Sequence, residues 1–230
     1  MFDFKNKTVL ITGASGNLGS TLSKSFARAG ANLVLAGRSL ESLKSLQAEL
    51  NELEVKSLIL EVDVKDFSKC QNIVDKSLSE FGNIDIVVNT ASDCLIGWDL
   101  TQITVDQIDA EIHTTYRSIV YMTKLVLPYM LERQSGTIVN VSSVSAVNEG
   151  SCPVYSADKA AVIRFTETMQ ENLATKNVNM VCVVPPNIRF KNFVEEKGVS
   201  FQDVANVIMM QCLESDNLSM PVVYLKPRAI

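Results

Sequence analysis

Tyr155 and Lys159 stand four residues apart in the stretch "VYSADKAAV". On a helix that spacing puts both side chains on one face, a turn apart. A phenol beside an ammonium is a proton donor next to a cation that stabilises its conjugate base. The bland alternative is two surface residues at a helix start. A second stretch favours chemistry. "TGASGNLG" places Gly13, Gly16 and Gly19 in a G-x-x-G-x-x-G pattern, with Ser15, Asn17 and Leu18 between them. Glycines there permit a tight turn and close backbone approach to a diphosphate, and a following helix offers free N–H groups to the phosphates. Further on, Gly37 is followed by Arg38 and Ser39. A dinucleotide site selective for NAD places a carboxylate at this point, whereas a guanidinium binds a 2′-phosphate in a charge-assisted fork. The expected cofactor is therefore NADP(H) rather than NAD(H). Asp63, followed by Val64, can accept a hydrogen bond from an adenine amino group. It can equally cap the next helix, a role that Asp66 could also serve.

These residues need a scaffold that brings them together. Apolar runs rich in Val, Ile and Leu predict strands at 8–12, 32–37, 56–63, 84–90, 136–143, 179–184 and 221–225. Amphipathic stretches predict helices at 17–30, 40–53, 66–81, 104–133, 154–176 and 201–214. Thr104 with Gln107, and Ser200 with Asp203, have the spacing of capping boxes. Strand–helix alternation throughout implies an α/β fold: a three-layer, doubly wound parallel sheet of the Rossmann type, about seven strands with helices on both faces. No linker, repeat or low-complexity segment divides the chain, so residues 1–230 read as one domain with an integral substrate cleft. Ligands of such sheets bind beyond the carboxyl ends of the strands. That is where the glycine turn, Arg38, Asp63, Asn89, Ala91 and Tyr155 all fall.

Composition excludes several classes. Net charge is −5, which disfavours a nucleic-acid surface. No apolar run reaches the ~18 residues of a membrane span, and the N-terminus lacks the shape of a signal peptide, so the expected location is the cytoplasm. Five widely spaced cysteines suit neither a disulfide framework nor a zinc site and read as reduced thiols. The one histidine, His113, reads as structural, and no multi-histidine metal site can form.

With the glycine turn, Asp63-Val64, "NTAS", "VSSVSA" and Tyr155-Ser156-Ala157-Asp158-Lys159 in order, the chain resembles the short-chain dehydrogenase/reductase family from about residue 5 to residue 190. The resemblance implies that Tyr155 exchanges a proton with the substrate oxygen. Lys159 would lower the tyrosine pKa and bind the nicotinamide ribose. An unperturbed tyrosine titrates near pH ~10, so a shift of ~2–3 units needs about 3–4 kcal/mol of differential stabilisation. A serine after the fifth strand would hold the substrate oxygen. The family's usual spacing counts back to Ser142, whereas the local pattern of serine followed by Val-x-small matches Ser143. Ser143 is favoured and Ser142 kept as the alternative. Asn89 and Ala91 would lie along the cofactor, with Asn89 either bridging strands or approaching the adenosine ribose. Pro185 and the backbone of Ile188 would face the carboxamide.

The pattern is broken in four places. Asn17 replaces the usual middle glycine of the turn, and asparagine tolerates left-handed backbone. Ser92 replaces the last glycine of the motif after the fourth strand. Thr115 occupies the position of an asparagine that serves a catalytic proton relay. Pro186 and Phe190 replace a glycine and a threonine near the nicotinamide. A short segment from Asn187 to Ser200 suggests an open cleft and a bulky or carrier-tethered substrate, with Cys94, Leu95, Ile96 and Trp98 as further lining. The leading function is an NADP(H)-dependent oxidoreductase interconverting a carbonyl and an alcohol. A non-redox enzyme (dehydratase, isomerase or cyclase) and a cofactor-binding regulator remain open. The expected partners are a small-molecule substrate and copies of the chain, as homodimer or homotetramer, through the helices at 104–133 and 154–176.

Overall fold

A computed structural model describes residues 2–93, 99–148, 152–186, 188, 198–213 and 220–227. Seven strands form one sheet: β1 (Thr8–Thr12), β2 (Asn32–Gly37), β3 (Ser57–Glu61), β4 (Ile86–Asn89), β5 (Gly136–Val141), β6 (Val178–Val184) and β7 (Val222–Tyr224). All neighbours run parallel, in the order β3-β2-β1-β4-β5-β6-β7. Side chains alternate between two apolar layers, which is why the strands read as continuous apolar runs. In β1, Val9 and Ile11 join Leu22 and Phe26 of α1 (Asn17–Arg28), Leu43 of α2 (Leu40–Asn51) and Ile208 of α7 (Phe201–Gln211). Leu10 points the other way, into a cluster with Ile73 of α3 (Phe67–Phe81) and Met122 of α5 (Ser118–Arg133). That cluster also takes Leu173 of α6 (Pro153–Leu173).

The single helix expected over 104–133 is three pieces. The capping box of Thr104 and Gln107 opens α4 (Val105–Ile112), a π turn covers His113–Arg117, and α5 follows. At the turn, the Ser118 N–H reaches back five residues to the His113 carbonyl. The Thr114 carbonyl freed by that slip accepts the Ser118 hydroxyl at 2.6 Å. The π turn is far shorter than the roughly 11–18 residues over which an apolar period is read, so the pattern does not reveal it. The second capping box, Ser200 with Asp203, opens α7 as expected. β3 ends at Glu61, so Asp63 lies beyond the strand in a loop.

β1 sits between β2 and β4. The chain leaves β1 toward β2 on one side and returns to β4 on the other. The loops after β1 and β4 therefore diverge and leave a crevice at their carboxyl ends.

Candidate active site

The glycine turn forms one wall of that crevice. Gly13 has φ +69, and a Cβ there would come within 2.8 Å of the Ala91 backbone nitrogen. A Cβ on Gly19 would overlap the Gly13 carbonyl oxygen and lie 2.8 Å from Ala14 Cα. Both glycines are demanded by packing. Gly16 is not: its Cβ would meet only the Gly13 carbonyl, at 3.2 Å. All three glycines line a cavity of about 310 Å³, together with Asn17, Leu18, Ser92, Asp93 and Tyr155. Phe201, at the start of α7, lines it as well, which no motif in the sequence announced.

The N-terminus of α1 has no side-chain cap and no acidic residue in its first turn. By contrast α2, α3, α4 and α7 are each capped by a side chain, from Ser39, Asp66, Thr104 and Ser200. Free N–H groups at a positive helix end, facing a cavity, fit the diphosphate of a dinucleotide. Asn17 is the first residue of α1, so its tolerance of left-handed backbone is not used; Gly13 carries the positive φ. Ser15 packs against the end of β2, where a Cβ on Gly37 would come within 3.0 Å of its Oγ.

Just past the end of β2, Arg38 is exposed and forms a two-pronged ion pair with Asp93, at 2.9 and 3.2 Å. Ser39 is the N-cap of α2, and its Oγ accepts the Ser42 N–H at 3.2 Å. Asp66, not Asp63, caps α3. Asp63 accepts the Lys65 N–H and lies 3.4 Å from Lys65 Nζ. Val64 beside it is buried.

Tyr155 is half-buried in the first turns of α6. One turn on, Lys159 is buried, its Nζ 5.5 Å from the centre of the Tyr155 ring and donating to the Val141 carbonyl at 2.9 Å. The two serines separate cleanly. Ser142 is 2% exposed and donates to the Lys159 carbonyl at 2.7 Å, which fastens the end of β5 to α6. Ser143 is half-buried and its Oγ accepts the Ser145 N–H at 3.2 Å. The Pro185 carbonyl steadies the same loop by accepting the Val144 N–H. Ile188 forms a parallel bridge with Val199.

Of the two roles open to the Asn89 side chain, it takes strand bridging. It is 2% exposed and donates to Asn140, which donates to Thr166 of α6. Thr115 makes contact with the loop after β4. Fully buried in the π turn, it donates to the Asp93 carbonyl at 3.2 Å and lies 3.1 Å from Ser92 Oγ. Its hydroxyl positions the loop after β4. Two departures noted separately in the sequence, Ser92 and Thr115, are thus one contact. Phe190, Asn187, Cys94, Leu95, Ile96, Trp98 and most of the segment 187–200 lie outside the described residues.

Two buried carboxylates near the lysine went unnoticed in the sequence. Asp158 of α6 and Glu111 of α4 are 6% and 1% exposed. Burial, and then the Glu111 charge, push the Asp158 carboxyl up to about 6, while Lys159 pulls it down. Only the tertiary fold sets the two acids near each other. His113 Nε2 pairs with Arg117 at 2.7 Å. Burial pushes the Cys70 and Cys182 thiols up to about 12, and Cys212 higher still. Among the described residues no helix is long and apolar enough to cross a membrane.

Comparison with known proteins supports this picture. The chain is 28% identical to an uncharacterized oxidoreductase of Staphylococcus epidermidis, over 99% of this chain and all of that one. It is 27% identical to another of Staphylococcus aureus, over 96% and 97% of the two chains. Among solved structures, a metagenomic short-chain oxidoreductase in complex with NADP superposes with a TM-score of 0.88 at 21% identity, covering 98% and 99%. An NAD+-bound xylitol dehydrogenase gives 0.88 at 20% identity, covering 96% and 97%. At these identities the structures speak to the fold alone. The family model for short chain dehydrogenases matches residues 7–197. That span holds the glycine turn, the serine loop and the tyrosine–lysine pair, and the chain belongs to the short-chain dehydrogenase family.

Proposed function

We propose that the protein is an NADP(H)-dependent oxidoreductase that interconverts a small-molecule carbonyl and its alcohol. The observation that carries this reading is the Lys159 ammonium held 5.5 Å from the Tyr155 ring at the edge of the cavity over the α1 N-terminus. A bound nicotinamide dinucleotide supplies the hydride. The uncapped N–H groups of α1, with Gly16 and Leu18, hold its diphosphate, and Arg38 and Asp63 face its adenosine half. Tyr155 Oη gives its proton to the substrate oxygen as the carbonyl carbon is reduced. Lys159 stabilises the resulting tyrosinate. The Val141 carbonyl and Ser142 fix that lysine through its side chain and its backbone. Ser143 Oγ turns its proton to the same substrate oxygen and orients it. Buried bonds from Asn89 through Asn140 to Thr166 tie β4, β5 and α6 together and make the platform rigid.

The outer side of α6 leaves Ala157 exposed and Ala160, Ala161 and Met169 partly so. This face supports self-association as a homodimer, or as a homotetramer if a second face joins.

The test is a titration of the purified protein with NADPH and NADH, followed by a carbonyl panel read at the NADPH absorbance band. Tyr155→Phe should keep cofactor affinity and lose most turnover. Unchanged turnover in that variant would sink the mechanism. Product formed with no absorbance change would point to the non-redox chemistry.

A further inference from the structure

The ion pair between Arg38 and Asp93 joins two lips of the crevice. Arg38 follows β2 directly, and Asp93 lies four residues past the end of β4. β1 and its glycine turn run between those strands. Arg38 offers both terminal nitrogens to both carboxylate oxygens, at 3.2 and 2.9 Å. This is the fork by which a guanidinium grips a phosphate. The pair is partly exposed, with the two side chains 61% and 30% accessible, so it can open without unfolding anything. Asp93 is nonetheless held in place, because the buried Thr115 of the π turn donates to its carbonyl and contacts neighbouring Ser92.

A dinucleotide site selective for NAD carries a carboxylate after β2, and one selective for NADP carries an arginine. Here the arginine is in that place, and a carboxylate reaches the same spot from a different strand. Resting on the cofactor reading above, we propose that Asp93 is a specificity-determining residue. It is an internal anion that competes with the 2′-phosphate of NADP(H) for Arg38. Binding of a 2′-phosphate requires Arg38 to exchange one anion for another. Binding of NAD(H) leaves the ion pair intact. The competition narrows the preference that Arg38 alone would confer.

The test uses the full chain and two adenosine fragments, adenosine 2′,5′-bisphosphate and 5′-AMP, in calorimetric titrations, then NADPH and NADH by fluorescence. Asp93→Asn should tighten the bisphosphate and NADPH about 3- to 5-fold, the scale of an exposed ion pair. It should leave 5′-AMP and NADH within about 2-fold. Arg38→Gln should lose the bisphosphate preference, and adding Asp93→Asn to it should change nothing further. Asp93→Asn shifting both fragments alike, or neither, overturns the inference and leaves the cofactor reading intact. A wild type that prefers NADH, but whose Asp93→Asn variant gains bisphosphate affinity, overturns the NADPH preference and supports the inference. A wild type that binds neither dinucleotide overturns both.

Discussion

Adjacent serines with different fates give the sharpest test of the site. Ser142 is 2% exposed and its hydroxyl donates to the Lys159 carbonyl at 2.7 Å. Ser142→Ala removes a buried hydrogen bond from a carbonyl that sits within a helix. The net loss for such a bond is about 1–1.5 kcal/mol. For a chain of 230 residues each kcal/mol moves Tm by about 2–4 °C, so Tm should fall by roughly 2–6 °C. Turnover should drop only modestly, since Lys159 keeps its bond to the Val141 carbonyl. Ser143 is half-buried and caps a single short turn through the Ser145 N–H. Ser143→Ala should lower Tm by no more than about 2 °C, because one half-buried cap of a short turn is worth about 0.5 kcal/mol. It should cut kcat/KM by about 10²–10³, the usual cost of removing one donor to a developing oxyanion. The assay pairs thermal melts with initial rates at the NADPH absorbance band on one carbonyl substrate. If Ser142→Ala loses as much turnover as Ser143→Ala while its Tm stays put, the assignment of the two serines is reversed and the reasoning fails.

Other outcomes follow from the same geometry. Gly19→Ala forces a Cβ into the Gly13 carbonyl and against Ala14 Cα, both backbone; it should cost at least about 2 kcal/mol or prevent folding, measured by urea melts. Gly16→Ala presses a Cβ to 3.2 Å from one carbonyl oxygen, a tight contact that a shift of a few tenths of an ångström relieves. It should fold with a cost under about 1 kcal/mol, yet weaken dinucleotide binding roughly tenfold or more in a titration. Asp158 has a folded pKa of about 6 against an ordinary 3.8. Its raised value favours the protonated form in the fold. Its contribution to stability is fully present below 3.8 and is lost as pH rises through about 6. Asp158→Asn should therefore flatten the fall in Tm across that window and raise Tm at neutral pH; an unaltered pH profile would refute the assignment. Cys70, Cys182 and Cys212, buried with raised pKa values, should resist thiol labelling until denaturant is added. Rapid native labelling of any of the three, read site by site by mass spectrometry, would contradict their placement.

Much of this protein is legible in its sequence, for physical reasons that can be named. Strands buried on both faces must be apolar throughout, so β1, β2 and β6 announce themselves. The capping boxes at Thr104 and Ser200 are local hydrogen-bond patterns and survive folding unchanged. The positive φ at Gly13 is a local demand of the turn, while the close approach of Ala91 to it comes from the loop after β4. The π turn does not show in the periodicity, since so short a turn is too brief to establish a period of its own.

What the chain could not declare are pairings between distant segments. Ser92 and Thr115 read as two independent departures from a family pattern, and folding makes them one contact. Arg38 reads as a ligand for a 2′-phosphate, and Asp93 arrives from the loop after β4 to pair with it. Glu111 and Asp158 stand on separate helices far apart in sequence, and folding buries both and raises the pKa of Asp158. Local chemistry, periodicity and motif order are properties of short stretches, so the sequence by itself determined the sheet, its helices and the tyrosine–lysine pair. Which polar groups meet across the crevice depends on loops converging from separate strands, and only the tertiary structure decided that.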